Sequence, residues 1–493
     1  MAARRTVKHL RWWIIGLVML GTTVNYLARS SLGAAAPTLT KELSLTTQQY
    51  SYIVAGFQFA YTLVQPIAGY LLDLLGTRLG LLIFPVGWSL ANMAHAFGNG
   101  WISLTFFRGL LGLSEGVVIP AGAKAVSEWF PDKERSVATG WFNIGTAVGA
   151  MIAPPLVIWC ILAGSWQLAF LVTGGIGLIW AALWWIFYRK PQEHSAISAE
   201  ELAYIEAGQS PPDTSGAKPS WWAVAKTRRI WAIAIPRFLA DPAWQTFTFW
   251  IPLYLVTVRG MNLKEIALFA WLPFLAADLG SIVGGYMSPF FMKFGKVGLI
   301  RARQLTVLCG ALLMVGPACI SLAPDAYWAI AMFCIGGFAH QMLSGALITL
   351  SADLFPSRQV ATATGIGGTA AWTGGLLFSL MVGALANTIG YNPLFVCLCV
   401  FDLIGAVVVF SLIRNSDAVA SAVHAVRKTL DGHDILLDIP PELPMVRADP
   451  QLLHHVLINL LDNAGRYAHP GTPLRIGARR GPDGLSLAIR DEG

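Results

Sequence analysis

Apolar runs of about 20 residues recur along the chain, broken by short polar turns. They fall at Trp12–Gly33, Tyr50–Leu72, Leu79–Gly98, Ile102–Ala125, Val137–Leu162, Trp166–Tyr188, Ile230–Val256, Ile266–Phe291, Leu305–Leu322, Ala326–Leu350, Ala361–Ala386 and Leu394–Leu412. Each is long enough to carry a helix across a hydrocarbon core of ~30 Å. The pattern predicts an all-α membrane protein with about twelve transmembrane helices.

The pattern changes twice. After the sixth run, EHSAISAEELAYIEAGQ reads as a short surface helix with Ser198 as N-cap and Glu201 supplying a capping box, and SPPDTSGAKPS reads as a linker. Beyond Arg414 the long runs stop, and short apolar segments alternate with charges and the turn signals PP, GP and DG. Within the apolar region two stretches read alike, SEWFPDKERSVATGWFNIGTAVGA from Ser127 and SADLFPSRQVATATGIGGTAAWTG from Ser351. Each runs Phe-Pro, charged turn, Ala-Thr, then a Gly/Ala-rich helix, which implies two six-helix pseudo-repeats. The organisation expected is a six-helix half over 1–190, a cytoplasmic connector over 191–228, a second six-helix half over 229–414 and a partial α/β cytoplasmic tail over 415–493.

Composition agrees with lipid as the solvent: 55% of the 493 residues are hydrophobic and 12% charged, with a mean hydropathy of +0.58. The N-terminal basic residues and first apolar run imitate a secretory signal, but the run is long for a signal core and many spans follow, so a retained first helix is expected. Basic residues gather at the N-terminus, Arg78, Lys133, Arg135, Arg189, Lys190, Lys226 to Arg229, Lys293 to Arg303, Arg358 and Arg414, which places both ends of the bundle in the cytoplasm. The net charge of +7 is spread over these loops and forms no nucleic-acid stripe. All six cysteines fall inside apolar runs and read as inert thiols, and no metal, redox or other cofactor is implied.

Charges inside the runs are the candidate chemistry, since a carboxylate at a bilayer centre costs roughly 2.5–3.5 kcal/mol. RGLLGLSEGVVIPAG sets Arg108 and Glu115 seven residues apart on one helix face, where burial favours a protonatable Glu115; simple pairing with Arg108 is the alternative. Arg29, deep in the first run, offers a planar fork for a carboxylate or, alternatively, an interhelical ion pair. Moving Phe130-Pro131 onto Phe355-Pro356 shifts numbering by 225 and places Glu115 on His340, which with Gln341 becomes a polar candidate from the second half. PRFLADPAWQTFTFWIP supplies Asp241, Trp244, Gln245, Trp250 and a breaker, Pro242, as a hinge and an aromatic wall. Asp278 and Asp402 are further intramembrane carboxylates, readable as proton sites or packing groups.

GYLLDLLGTRLG, from Gly69 to Gly80, resembles the G-x-x-x-D-x-x-G-x-[RK] loop of the major facilitator superfamily. NYLARSSLGAAAPTL, TTQQYSYIVAGFQFAYTLVQPIAGYLLDLLGT, RSVATGWFNIGTAVGAMIAPPLVIW, PRFLADPAW, LKEIALFAW and GGFAHQMLSGALITLS resemble the hexuronate (galacturonate/glucuronate) transporters of its anion:cation symporter branch, over residues 5–413. The resemblance implies a charge latch at Asp73 and Arg78, a substrate carboxylate at Arg29, Tyr26, Tyr61 and Gln65 facing the cavity, and proton coupling at Glu115. On that reading His340 and Gln341 are candidates for sugar hydroxyls and the helix-7 aromatics for a pyranose face, while Arg108 is expected in gating and Asp241 and Asp278 as further proton candidates from their place inside apolar runs. Many relatives carry an aspartate just before the helix-1 arginine, where this chain has Ala28.

In the tail, QLLHHVLINLLDNAGRYAH resembles the N-box of sensor histidine kinase ATP-binding domains of the potassium-sensing type. By that resemblance Asn459, Asn463 and Asp491 form a nucleotide-like remnant, with Arg466 at the basic position; the later glycine loops and lid are not in the sequence, and an inert, truncated domain is expected. The function implied is a monomeric, proton-coupled symporter importing hexuronates by alternating access, with another organic anion (an aldonate or aromatic acid) or a membrane sensor kinase-like fusion as alternatives, and no enzymatic activity. The partners implied are a small sugar acid, protons and the lipid bilayer.

Overall fold

The computed structural model describes residues 6–131, 134–207, 221–355, 357–413, 435–438, 459–461, 463–464, 473–481 and 484–491. The first half contains α1 (Leu10–Glu42), α2 (Thr47–Ala94), α3 (Trp101–Glu115), α4 (Val118–Trp129), α5 (Arg135–Ala163) and α6 (Trp166–Phe187). The connector carries α7 (Ala199–Ala207) and α8 (Trp221–Ala225). The second half contains α9 (Arg228–Phe249), α10 (Ile251–Thr257), α11 (Leu263–Phe269), α12 (Leu272–Phe294), α13 (Leu299–Leu313), α14 (Val315–Ala318), α15 (Ala326–Leu354), α16 (Ser357–Ile389) and α17 (Asn392–Leu412). Among the described residues, nine helical stretches are long and apolar enough to cross a membrane. The three expected crossings outside that set are α1, the first part of α2, and α9 with α10, whose hydropathy is lowered by polar residues such as Arg29, Gln58, Arg237 and Asp241. The exterior is apolar, with Ile102, Phe106, Ile179 and Val407 each more than half exposed, as a lipid-facing surface requires.

Helix breaks fall where the backbone loses a partner. α2 runs through two crossings and is bent at Gly76, which takes φ 75 and ψ 160, a conformation open to glycine at little cost. The fourth crossing, expected to be continuous, stops at Glu115 and restarts at Val118; Pro120 removes the N–H that would have bonded the Gly116 carbonyl. In the seventh crossing the break is not at Pro242, as the sequence suggested, because α9 runs through Pro236 and Pro242 as far as Phe249. It lies at Trp250, ahead of Pro252, which cannot bond back to the Thr248 carbonyl.

The pseudo-repeat is legible at contact level. A side chain at Gly149 of α5 would collide with the Thr23 carbonyl of α1, and one at Gly374 of α16 with the Phe238 carbonyl of α9. Gly112 of α3 presses on the Phe57 carbonyl of α2, and Gly337 of α15 on the Pro273 carbonyl of α12. Both glycine pairs are related by the same 225-residue shift that superimposes the Phe-Pro turns, and small residues at such crossings let backbones pack where lipid provides no hydrophobic drive.

The connector differs from the expected surface helix. Ser198 does cap α7, accepting from the Glu201 N–H at 3.1 Å, but Glu201 is buried and leaves its own helix. Its carboxylate accepts the N–H groups of Leu10 at 3.0 Å and Arg11 at 3.3 Å and the Arg11 guanidinium at 2.8 Å. Arg11 also pairs with Glu134 at 3.0 Å, and Tyr204 of α7 donates to Glu134 at 2.7 Å. α1 starts without a side-chain cap of its own, so α7 satisfies its first free N–H groups in trans. At the same end Thr77 donates to Glu128 at 2.7 Å, and Tyr188 also donates to Glu128. Burial first, and that carboxylate second, push the Tyr188 phenol well above its ordinary range. This connector-bearing end is called basal below, and the end with the turn after α1 apical.

In the tail, β1 (Ile435–Asp438) pairs parallel with β2 (Leu474–Gly481), which pairs antiparallel with β3 (Gly484–Asp491). Asn459 and Asn463 are exposed on a helical segment, and Asp491 ends β3 opposite Leu474. The linker SPPDTSGAKPS, Arg466 and the residues after Asp491 lie outside the described residues.

Replacing Glu201 by Ala should remove the α1 cap and an ion pair together, costing about 1–3 kcal/mol; a lower melting temperature of the detergent-purified protein, with Glu201→Gln in between, checks this.

Candidate functional site

Arg29 and Glu115 meet directly. The Arg29 Nε donates to Glu115 Oε2 at 2.8 Å, with Arg29 4% and Glu115 0% exposed. The sequence suggested Arg108 as the neighbour of Glu115, since both lie on one face of the fourth crossing. Arg108 instead turns away to α1 and donates to the Arg29 carbonyl at 3.3 and 3.4 Å. The other carboxylate oxygen, Glu115 Oε1, has no hydrogen-bond partner. Glu115 is the last residue of α3, so the break in the crossing sits beside the ion pair.

An aromatic cage surrounds the guanidinium. Its carbon lies 4.4 Å from the Tyr26 ring centre, 4.8 Å from Tyr61, 5.2 Å from Phe57 and 5.5 Å from Trp372. Faces of aromatic rings attract a desolvated cation. Trp372 belongs to α16, so this cage closes across the two halves. Tyr26, Gln65 and Trp372 are half-buried, whereas Tyr61 and Phe57 are buried.

One turn beyond Trp372, Gly375 lets α16 approach α9, since a side chain there would meet Asp241 Oδ2 at 3.0 Å. Asp241 accepts from Gln245 at 3.0 Å, and Arg237, one turn back along α9, donates to Ser344 of α15 at 3.0 Å. Trp244 stacks on His340 of α15, ring centres 5.9 Å apart and planes 19° from parallel. His340 is buried with Nδ1 unpartnered, while Gln341 is half-buried. The repeat gives this pair a meaning. Thr23 and Phe238, the carbonyls under Gly149 and Gly374, are 215 residues apart, and that offset carries Arg29 onto Trp244 as the 225-residue shift carries Glu115 onto His340. At corresponding places the first half holds an ion pair and the second an aromatic stack.

The remaining candidates are dispersed. Trp250 is buried in an apical aromatic layer, 5.2 Å from Tyr50 and 6.5 Å from Tyr391, and not beside Arg29. Arg78 donates to the Trp185 carbonyl at 3.2 Å and stacks over that ring at 4.0 Å, both within the first half; the Asp73 side chain lies outside the described set. Asp278 is half-buried on α12. Asp402 is buried on α17 with neither oxygen hydrogen-bonded. The sequence reading missed Trp372 and Arg237. For Arg237 the signal was present, a lone arginine inside an apolar run, the same argument that singled out Arg29.

Named contacts joining the halves cluster toward the apical end. Tyr50 donates to the Phe249 carbonyl at 2.8 Å, Gln58 to Ser379 at 3.2 Å and Thr47 to Asn387 at 3.0 Å. Gly33 of α1 lies against Thr248, and Gly383 of α16 against Ser51. Outside this layer is an open cleft of about 770 Å³ lined by Thr40, Lys41, Tyr254, Asn387 and Tyr391. The basal ion pairs Arg11–Glu134, Arg11–Glu201 and Arg303–Asp353 each stay within one half or between it and the connector.

The profile described as Major Facilitator Superfamily matches residues 18–300 and 287–461. The chain is 52% identical over 420 residues to a hexuronate transporter of Escherichia coli strain K12, covering 85% of this chain and 97% of the relative. It is 52% identical over 327 residues to a galacturonate transporter of Dickeya chrysanthemi, covering 66% and 95%. A bacterial homologue of the human lysosomal transporter Spinster, crystallised inward-facing and occupied, has the same fold, with a TM-score of 0.66 at 18% identity over 82% of this chain and 97% of that one.

Truncating Glu115 to Ala strands a buried guanidinium and should cost about 3–5 kcal/mol, whereas Glu115→Gln keeps an acceptor and should cost less. Thermal unfolding in detergent, read for both variants side by side, separates these outcomes.

Proposed function

The chain belongs to the Major Facilitator Superfamily and is a multi-pass membrane transporter, and on that premise we propose that it imports hexuronates such as galacturonate together with protons across a bacterial inner membrane. The 2.8 Å contact between Arg29 and Glu115 carries the reading. A guanidinium already paired with a carboxylate has little left for a second one. Protonating Glu115 ends the charge pairing and frees the Arg29 fork, and a sugar acid's carboxylate takes the place of the lost charge. Proton and substrate thus bind together because they answer the same unpaired cation. The sequence-level picture of repulsion between two separated carboxylates becomes direct competition for one partner.

The rest of the ligand has matching surroundings. Tyr26, Tyr61 and Trp372 bound the carboxylate end, and Trp244, held flat by His340, offers a face to the sugar's C–H surface. Gln65, Gln245, His340 and Gln341 supply groups for hydroxyls. The proton is assigned to Glu115; Asp241, with Gln245 on one oxygen and Arg237 one turn away, is assigned no proton in this cycle.

Closure of the apical layer by Tyr50–Phe249 and Gln58–Ser379 supports an inward-open arrangement with the basal end cytoplasmic. Alternating access then requires that Arg29's cage, shared with Trp372 of the other half, re-form around the loaded site before the apical layer parts. The Asp73–Arg78 loop is assigned to the basal closure of that cycle. The tail is assigned no part in transport.

In proteoliposomes, galacturonate affinity should fall as pH rises through the Glu115 titration, by at most about tenfold per pH unit, because binding takes up one proton. Glu115→Gln should abolish that slope and gradient-driven accumulation while retaining counterflow exchange, and Arg29→Ala should abolish binding. Concentrative uptake surviving in Glu115→Gln would overturn the coupling.

A further inference from the structure

The second half has a guanidinium of its own that the proposed reading leaves without a task. Arg237 is half-buried on α9, donates to Ser344, and shares a helix face with Asp241 four residues on. Asp241 in turn lies against Gly375 of α16, one turn from the Trp372 that covers Arg29, and Arg237 lies against Gly367 of the same helix. The two guanidiniums therefore approach the same stretch of α16, each with a carboxylate near it. Their pairing differs. Arg29 is joined to Glu115 in a single hydrogen-bonded ion pair, which one proton dissolves. Asp241 is tied to Gln245 and Arg237 to Ser344, so neither is spent on the other in a hydrogen-bonded pair, and four residues apart on one helix face their opposite charges lie within reach of each other.

We propose that Asp241 restricts the transporter to acids with one carboxylate, by neutralising Arg237, and that without its charge Arg237 and Ser344 become a second carboxylate site. A six-carbon sugar acid bound at Arg29 by its carboxylate extends its far carbons toward α9. When that far end is a hydroxyl or a hemiacetal, a balanced Arg237–Asp241 pair hydrogen-bonds it. When it is a second carboxylate, it meets the Asp241 charge, and the repulsion rejects the ligand. The inference rests on the sugar-acid reading above and adds the end of the ligand that the reading leaves open.

The test uses the full-length protein in proteoliposomes, with galactarate, the six-carbon diacid, as inhibitor of labelled galacturonate uptake. Wild-type protein should take up galacturonate and be inhibited poorly by galactarate. Failure of wild-type uptake overturns the sugar-acid reading itself, before selectivity is asked. In Asp241→Asn or Asp241→Ser, assayed in parallel, the inhibition constant of galactarate relative to galacturonate should fall by about tenfold or more. Adding Arg237→Gln to either should remove the gain. An unchanged ratio in a folded Asp241 variant, or a gain that survives loss of Arg237, overturns the proposal. Should both Asp241 variants fail to fold, Arg237→Gln alone decides: it leaves Asp241 uncompensated beside the ligand and should raise the galacturonate KM about tenfold, and an unchanged KM overturns the proposal.

Discussion

A guanidinium and a carboxylate taken out of water in the middle of an apolar bundle must be satisfied by each other, and much of this fold serves that requirement. Arg29 on α1 and Glu115 at the end of α3 are 2.8 Å apart and almost wholly buried. Desolvating both charges is expensive, and their attraction repays it only with good geometry and further polar or π contacts around them. Arg108 supplies one such contact by holding the Arg29 carbonyl, and four aromatic rings supply others. Because one of those rings, Trp372, belongs to the opposite half, the surroundings of this pair are completed across the interface between the halves.

The pseudo-repeat explains why the site is lopsided. Backbone crossings at Gly149 and Gly374, and at Gly112 and Gly337, set the same scaffold in each half. On that scaffold the first half carries Arg29 with Glu115, and the second carries Trp244 with His340. Duplicated geometry has thus diverged in chemistry, charged in one half and aromatic in the other, which is what the proposed reading asks of a ligand that is an anion at one end and a sugar ring at the other.

At the basal end a segment that reads as a short surface helix does structural work. α7 lends Glu201 to the uncapped start of α1 and reaches Glu134 near the start of α5 through Tyr204. The crossing that carries Arg29 is thereby fixed at its basal terminus to the connector, and at its apical side it touches α9 through Gly33.

The sequence by itself determined the solvent, the number of crossings and the internal repeat, because a hydrocarbon core admits little besides long apolar helices and because the Phe-Pro turns are duplicated in plain text. It also marked Arg29 and Glu115 as exceptional, since a charge within such a run requires a reason. It could not pair them. Spacing along one helix put Arg108 on the face of Glu115, whereas the contact that formed joins residues 86 positions apart on separate helices, a distance only the assembled bundle decides. The same holds for Glu201, whose capping-box spacing was sound but whose carboxylate found stronger donors on another helix, and for the seventh crossing, where proline content could not say which of three prolines would break it. Local propensity fixes what a residue can do, and only packing decides which partner is near enough for it to be done.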